Sequence, residues 1–135
     1  MDGRLALTVV TPERAVLQAV ACDEVTLPAQ RGEIGILPGH TPLIALLGIG
    51  VVSYRDGSRR QAVAVRGGFV EIAGDAVRVL ADAAVAPDAV EAAAVSKEKL
   101  DAEGRRDRAA GDEELDAADA DARFADARLA LTRQA

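Results

Sequence analysis

The chain changes character at Pro87-Asp88, and that change constrains its fold more than any other feature. Before it, short Val/Leu/Ile-rich runs alternate with turn signals at close intervals, the pattern of an antiparallel sandwich or barrel. After it the β-branched runs stop, and a text of Ala, Glu, Asp, Arg and Lys begins, all of them compatible with helix. The expected fold is α+β: an antiparallel β-sandwich of about ten strands over residues 1–86, followed by an antiparallel α-helical hairpin over 87–135.

The strands are expected at Leu5 to Val10, Arg14 to Gln18, Val20 to Leu27, Gly32 to Ile36, Leu43 to Leu47, Val51 to Arg55, Gln61 to Val65, Phe69 to Ile72, Val77 to Leu80 and Ala83 to Val85. Asp56-Gly57 is a hairpin signal, because that pair accepts the positive φ angles of tight turns. Gly67-Gly68 and Gly74-Asp75 read as two more reversals.

In the helical part, Asp88 is placed to cap a first helix running to about Glu103, with its seam at Val90, Ala93, Ala94, Lys97 and Leu100. Gly104 costs about 1 kcal/mol relative to alanine, so the helix should end near it. A second helix starts at Gly111-Asp112, where Asp112, Glu113 and Glu114 suit the positive end of the helix dipole and Arg128 and Arg133 the negative end. Its seam is Leu115, Ala118, Ala122, Ala125 and Leu129, with the acids of 112–126 expected on the solvated face opposite. Residues 88–135 hold 13 acids against 8 bases, whereas 1–87 hold 9 against 8, so the hairpin repels itself. Alanine seams bury little area, at ~25 cal/mol per Å². Such an appendage is weakly held and able to extend.

Gly32 to Ile44 packs three glycines and two prolines round a strand-like apolar pattern. Glycine reaches angles closed to other residues and proline fixes its own, so a loop dense in both holds one shape. Glu33 and His40 are its only ionisable side chains, which makes it a rigid presenting surface.

Several chemistries are excluded. Phe69, Phe124 and Tyr54 are the only aromatics and the net charge is −6, which argues against a nucleic-acid partner. Cys22 is alone and reads as a small buried hydrophobe, so no internal disulfide forms. With His40 as the one histidine, no metal is expected and no cofactor is implied. Ser53, Ser58 and Ser96 lack a Gly-x-Ser-x-Gly elbow, and Gly48-Ile49-Gly50 lacks the third glycine and the helix of a dinucleotide fingerprint. No apolar run approaches the ~20 residues of a membrane span, and the first residues have no apolar signal core. Any membrane association is expected to come through a partner.

The loop Gly32-Glu33-Ile34-Gly35-Ile36-Leu37-Pro38-Gly39-His40-Thr41-Pro42-Leu43 resembles the signature loop of the epsilon subunit family of F-type ATP synthase, a GE-hydrophobic-GI-x-PGH-x-PL pattern. The resemblance extends over nearly the whole chain: Leu5 to Ala15 is similar to the family's first strand and turn, Val65 to Ile72 to its Gly-Gly strand, and Val79 to Ala84 to its V-L-A-D-x-A segment.

That resemblance implies a noncatalytic rotor subunit at the cytoplasmic face of a bacterial plasma membrane, joining the gamma subunit to the c-ring. By positional match, Gln30, Arg31, Gly32 and Glu33 would touch the c-ring and His40 would face gamma. The hairpin would be the regulatory element, folding on the sandwich or extending into the alpha/beta head to restrain ATP hydrolysis. Its basic residues for inhibitory contacts are Arg105, Arg106, Arg108, Arg123, Arg128 and Arg133. Some members bind ATP through a hydrophobic-Asp-x-x-Arg-Ala motif; here Asp88 matches, but Pro87 replaces the hydrophobic residue and Glu91 the arginine. An acid facing phosphates is repulsive, so nucleotide sensing of that kind is not expected. The competing reading from the residues alone is a stand-alone β-sandwich protein-binding module, against which the lack of aromatics counts.

Overall fold

A computed structural model describes residues 3–133. Among them eight strands form: β1 (Leu5–Val10), β2 (Ala15–Cys22), β3 (Glu24–Ala29), β4 (Gly32–Ile36), β5 (Leu43–Leu46), β6 (Ile49–Asp56), β7 (Arg59–Ala73) and β8 (Ala76–Val85). They make one sheet in the order β2-β1-β8-β7-β6-β3-β4, with β5 on β7. All the pairs are antiparallel except β1 with β8, which is parallel. The sheet wraps a core of Leu5, Leu7, Val9, Val25, Leu27, Ile36, Val52, Val63, Val70, Ile72, Val77 and Val79, with Cys22 buried among them.

Eight strands stand where ten were expected, for two physical reasons. Gly67-Gly68 is a bend inside one continuous fifteen-residue strand, not a reversal. Gly68 has φ +102° and a Cβ there would lie 1.9 Å from the Leu80 carbonyl oxygen, so its lack of a side chain lets β7 bend onto β8. In the same way Val77 to Val85 stays one strand, because β8 follows β7 from Ala73↔Ala76 round the bend to Ala64↔Val85. The other boundary shift is in β2: the expected break at Ala19 is a bulge, with φ 47°, whose amide donates to Thr8 Oγ1 at 3.0 Å. The strand end falls instead at Asp23, whose carboxylate accepts the Gly57 amide at 2.7 Å and so ties this corner to the β6–β7 turn.

Past β8 the chain makes a 3₁₀ turn at Pro87–Ala89, extends at Val90, and enters helices α1 (Ala92–Asp107) and α2 (Asp112–Leu131). Asp88 therefore belongs to the turn and caps nothing; Glu91 is the residue ahead of α1. Gly104 lies within the last turn of α1. The α2 seam matches the expected one at Ala118, Ala122, Ala125 and Leu129, while Leu115 is exposed. The α1 seam does not. Val95 and Ala102 are its buried residues, and Ala93, Ala94, Lys97 and Leu100 face solvent, Leu100 at 70% exposure.

A second apolar stripe on α2 turns the hairpin toward the sheet. Phe124, Ala127 and Leu131 pack on Ala62 and Ala64 of β7, with Ile49, Val51, Ala83, Val85 and Val90 at the margin. Only Phe124 and Leu131 are large, and each contributes roughly 2 kcal/mol on burial, so the hairpin sits on a modest apolar seat.

Candidate functional site

The Gly/Pro loop is built by turn chemistry. The β3–β4 hairpin closes through Gln30 and Arg31, between the partners Ala29↔Gly32. Gln30, Arg31, Gly32 and Glu33 are all exposed, so the four expected contact residues form one polar tip. After β4, Leu37-Pro38-Gly39-His40 makes a tight turn in which the His40 amide donates to the Leu37 carbonyl at 3.2 Å. Proline in the second position and Gly39 at φ +84° in the third are what a type II turn requires. The Gly39 amide donates to Asp75 Oδ1 at 3.0 Å, which pins this turn to the β7–β8 turn. His40 is half-buried, with Nδ1 2.6 Å from the Thr41 carbonyl oxygen.

Beside the loop lies a feature that sequence reasoning missed. Leu46 of β5 pairs with Phe69 of β7, Phe69 with Leu80 of β8, and Leu80 with Val10 of β1. Leu46, Phe69 and Leu80 are exposed and so make an apolar row across three strands on the outer face, with Ile44 alongside at 71% exposure. A depression of about 290 Å³ lined by Val10, Thr11, Pro12, Gly68, Phe69 and Leu80 continues it. The signal was present in Val77 to Asp82, where outward Arg78 and Asp82 bracket a leucine.

The second site is the cleft where the hairpin meets the sheet, about 350 Å³, lined by Arg66, Glu98, Asp101, Arg105, Asp121, Phe124 and Arg128. Its three guanidinium groups face three carboxylates. Asp121 accepts from Arg66 Nη1 at 2.7 Å and from Arg105 Nη2 at 3.0 Å. Burial alone would raise the Asp121 pKa, but Arg66 and Arg105 outweigh it and hold the carboxyl below its ordinary value. Arg128 lies over the Phe124 ring, 4.6 Å from its centroid, and meets Glu98 at 2.7 Å. Two more ion pairs join the helices, Arg106 with Asp119 and Lys99 with Asp126. The acids of α2 thus flank its alanine seam, correcting the expectation of a purely solvated opposite face. Of the six hairpin arginines, Arg105, Arg106 and Arg128 are engaged in this way, whereas Arg108, Arg123 and Arg133 are exposed. Asp88 and Glu91 lie exposed outside the cleft lining.

The matched region decides the family. The family model described as "ATP synthase, Delta/Epsilon chain, beta-sandwich domain" matches residues 4–87. The chain belongs to the ATP synthase epsilon family. It is 42% identical to the ATP synthase epsilon chain of Symbiobacterium thermophilum over 78% of this chain and 77% of that one. The Solibacter usitatus epsilon chain is 48% identical over 62% of each chain, so the matched stretch spans about three fifths of that relative. In fold, the chain resembles one in the cryo-EM structure of Euglena gracilis mitochondrial ATP synthase, OSCP/F1/c-ring in rotational state 1, with TM-score 0.82 at 16% identity, covering 99% of this epsilon-family chain and 84% of the other. The β-sandwich and the helical hairpin are both features of that shared fold. No helix among the described residues is long and apolar enough to cross a membrane.

Proposed function

We propose that this chain is the noncatalytic central-stalk subunit of a bacterial proton-translocating F-type ATP synthase. Residues 1–86 join the gamma subunit to the c-ring at the cytoplasmic face of the membrane, and residues 87–135 form an arm that restrains hydrolysis. The observation that carries this reading is the outward apolar row Leu46, Phe69 and Leu80, set beside the pinned Gly/Pro loop of a family-matched sandwich. An exposed apolar row of this kind is covered by a partner in the working assembly. Gamma is its occupant, with His40 at the margin, and the polar tip Gln30 to Glu33 is the c-ring contact.

The hairpin arginines act in the extended state, where Arg105, Arg106 and Arg128 exchange their internal carboxylates for acidic groups of the alpha/beta head, joined by Arg108, Arg123 and Arg133. Nucleotide control of the arginine-motif kind is not part of this reading, since Glu91 adds negative charge where phosphates would sit. Co-purification tests the first half: the chain should come down with gamma in a fixed one-to-one ratio. Hydrolysis by the reconstituted complex with and without residues 88–135 tests the second, the truncated form hydrolysing faster.

A further inference from the structure

The seat of the hairpin is small: Ala62, Ala64, Phe124, Ala127 and Leu131 are its buried residues, with Ile49, Val51, Ala83, Val85 and Val90 at the margin. Two large side chains, Phe124 and Leu131, carry most of that packing, and a polar contact beside them adds direction to the position of α2 on β7. Among the described residues one ion pair crosses between sheet and hairpin, Arg66 with Asp121. It is short, at 2.7 Å, and each side chain is only about a third exposed. Arg66 sits at the bend of β7, paired with Ile49 and Ala83, so the strand fixes its root.

Asp121 does more than close that pair. Its second oxygen takes Arg105 of α1, and Arg105 is itself held by Asp101 one helical turn away. One carboxylate therefore joins three bodies: sheet, α1 and α2. The helix α2 supplies the packing on β6 and β7, while α1 packs on α2, so α1 reaches the sheet through this bridge. We infer that Asp121 is the latch of the docked hairpin, coupling helix pairing to docking so that the arm leaves the sheet as one unit when the bridge is broken. A surface pair contributes modestly to stability, which suits an element that must open. The inference rests on reading the hairpin as a regulatory arm.

The test is made on the isolated full chain. Nitroxide labels at Ser58→Cys and Asp116→Cys report the distance from the β6–β7 turn to α2. Asp121→Asn and Arg66→Gln should each raise the undocked fraction about fivefold, equivalent to about 1 kcal/mol, and the double variant should add little to either. Asp119→Asn, whose partner Arg106 is on α1, should leave docking unchanged. An unaltered distance distribution in Asp121→Asn, or an equal shift in Asp119→Asn, overturns the latch. Should Asp121→Asn unfold the hairpin, Arg66→Gln decides, since it leaves both helices intact. Because the readout is distance in the free chain, the latch stands or falls there whatever hydrolysis by the assembled complex does. A shift in docking with no effect on hydrolysis would instead sink the regulatory reading.

Discussion

The Gly39 amide donates to the Asp75 carboxylate at 3.0 Å, so two turns 36 residues apart hold each other. The turn before β5 is therefore part of the β7–β8 hairpin in mechanical terms, and the apolar row beside it inherits that rigidity.

Removing the acceptor should loosen the loop without unfolding the sheet. Asp75→Ala is expected to cost about 1 kcal/mol, while Asp75→Asn keeps an acceptor oxygen and should cost less. Urea melts give the cost, and amide exchange at Gly39 should speed up in the alanine variant alone.

At the β7 bend a side chain has no room. Gly68→Ala brings a Cβ within 1.9 Å of the Leu80 carbonyl oxygen at φ +102°, so a loss of at least ~3 kcal/mol is expected. A urea midpoint within error of the parent would show that the bend tolerates a methyl group.

On the outer face, stability and assembly should separate. Leu80→Glu replaces an exposed side chain and is expected to change the melt by under about 0.5 kcal/mol while weakening gamma binding tenfold or more. Intact binding in a pull-down with gamma would remove the row from the interface.

Glu33 should behave likewise at the other contact. Being exposed at the tip of the β3–β4 hairpin, Glu33→Gln should leave the melting curve within about 0.5 kcal/mol of the parent and loosen attachment to the c-ring. A large stability loss with normal assembly would reverse that assignment.

Acid should weaken the molecule through named carboxylates. The Gly57 amide hydrogen bond, with help from Arg4 and Arg55 against a desolvation cost, lowers the Asp23 pKa; Arg66 and Arg105 lower that of Asp121 against its burial. A depressed folded pKa stabilises above the unfolded value, about 3.9, and that contribution is lost as pH falls through the folded value. Urea midpoints should therefore drop below about pH 4, and Asp121→Asn should flatten the profile there.

The strands were legible because alternation marks them and Asp56-Gly57 and Gly74-Asp75 mark their turns. The bend at Gly67-Gly68 was not, since glycine pairs signal a reversal and a close backbone approach alike, and only the Leu80 carbonyl distinguishes them. The α2 seam was readable from its leucine and alanine spacing. The α1 seam was not: its alanines give almost no hydropathy contrast, and the exposed Leu100 drew the expected phase away from Val95 and Ala102. The true phase sets Val95 against Ala125 and Leu129 and aligns Glu98 with Arg128, Lys99 with Asp126 and Arg106 with Asp119, partners on the other helix that a single helix's pattern does not reveal. The exposed ends of the signature loop, Gly32 and Glu33, were legible as a Gly-rich turn, whereas Asp121 and Arg66 lie 55 residues apart and meet only through the fold.

Strand β7 carries Ala62, Ala64 and Arg66 under the hairpin and Phe69 in the apolar row. Seven steps of one continuous strand, bent at Gly67-Gly68, lead from Ala62 to Phe69. The two surfaces are thus ends of one beam, braced by β8 along both limbs, with a single elbow and no loop between them. On the proposed reading, twist delivered at the outer face has a bonded, hydrogen-bonded route to the seat of the arm, so the gamma contact and the restraint share one stiff part.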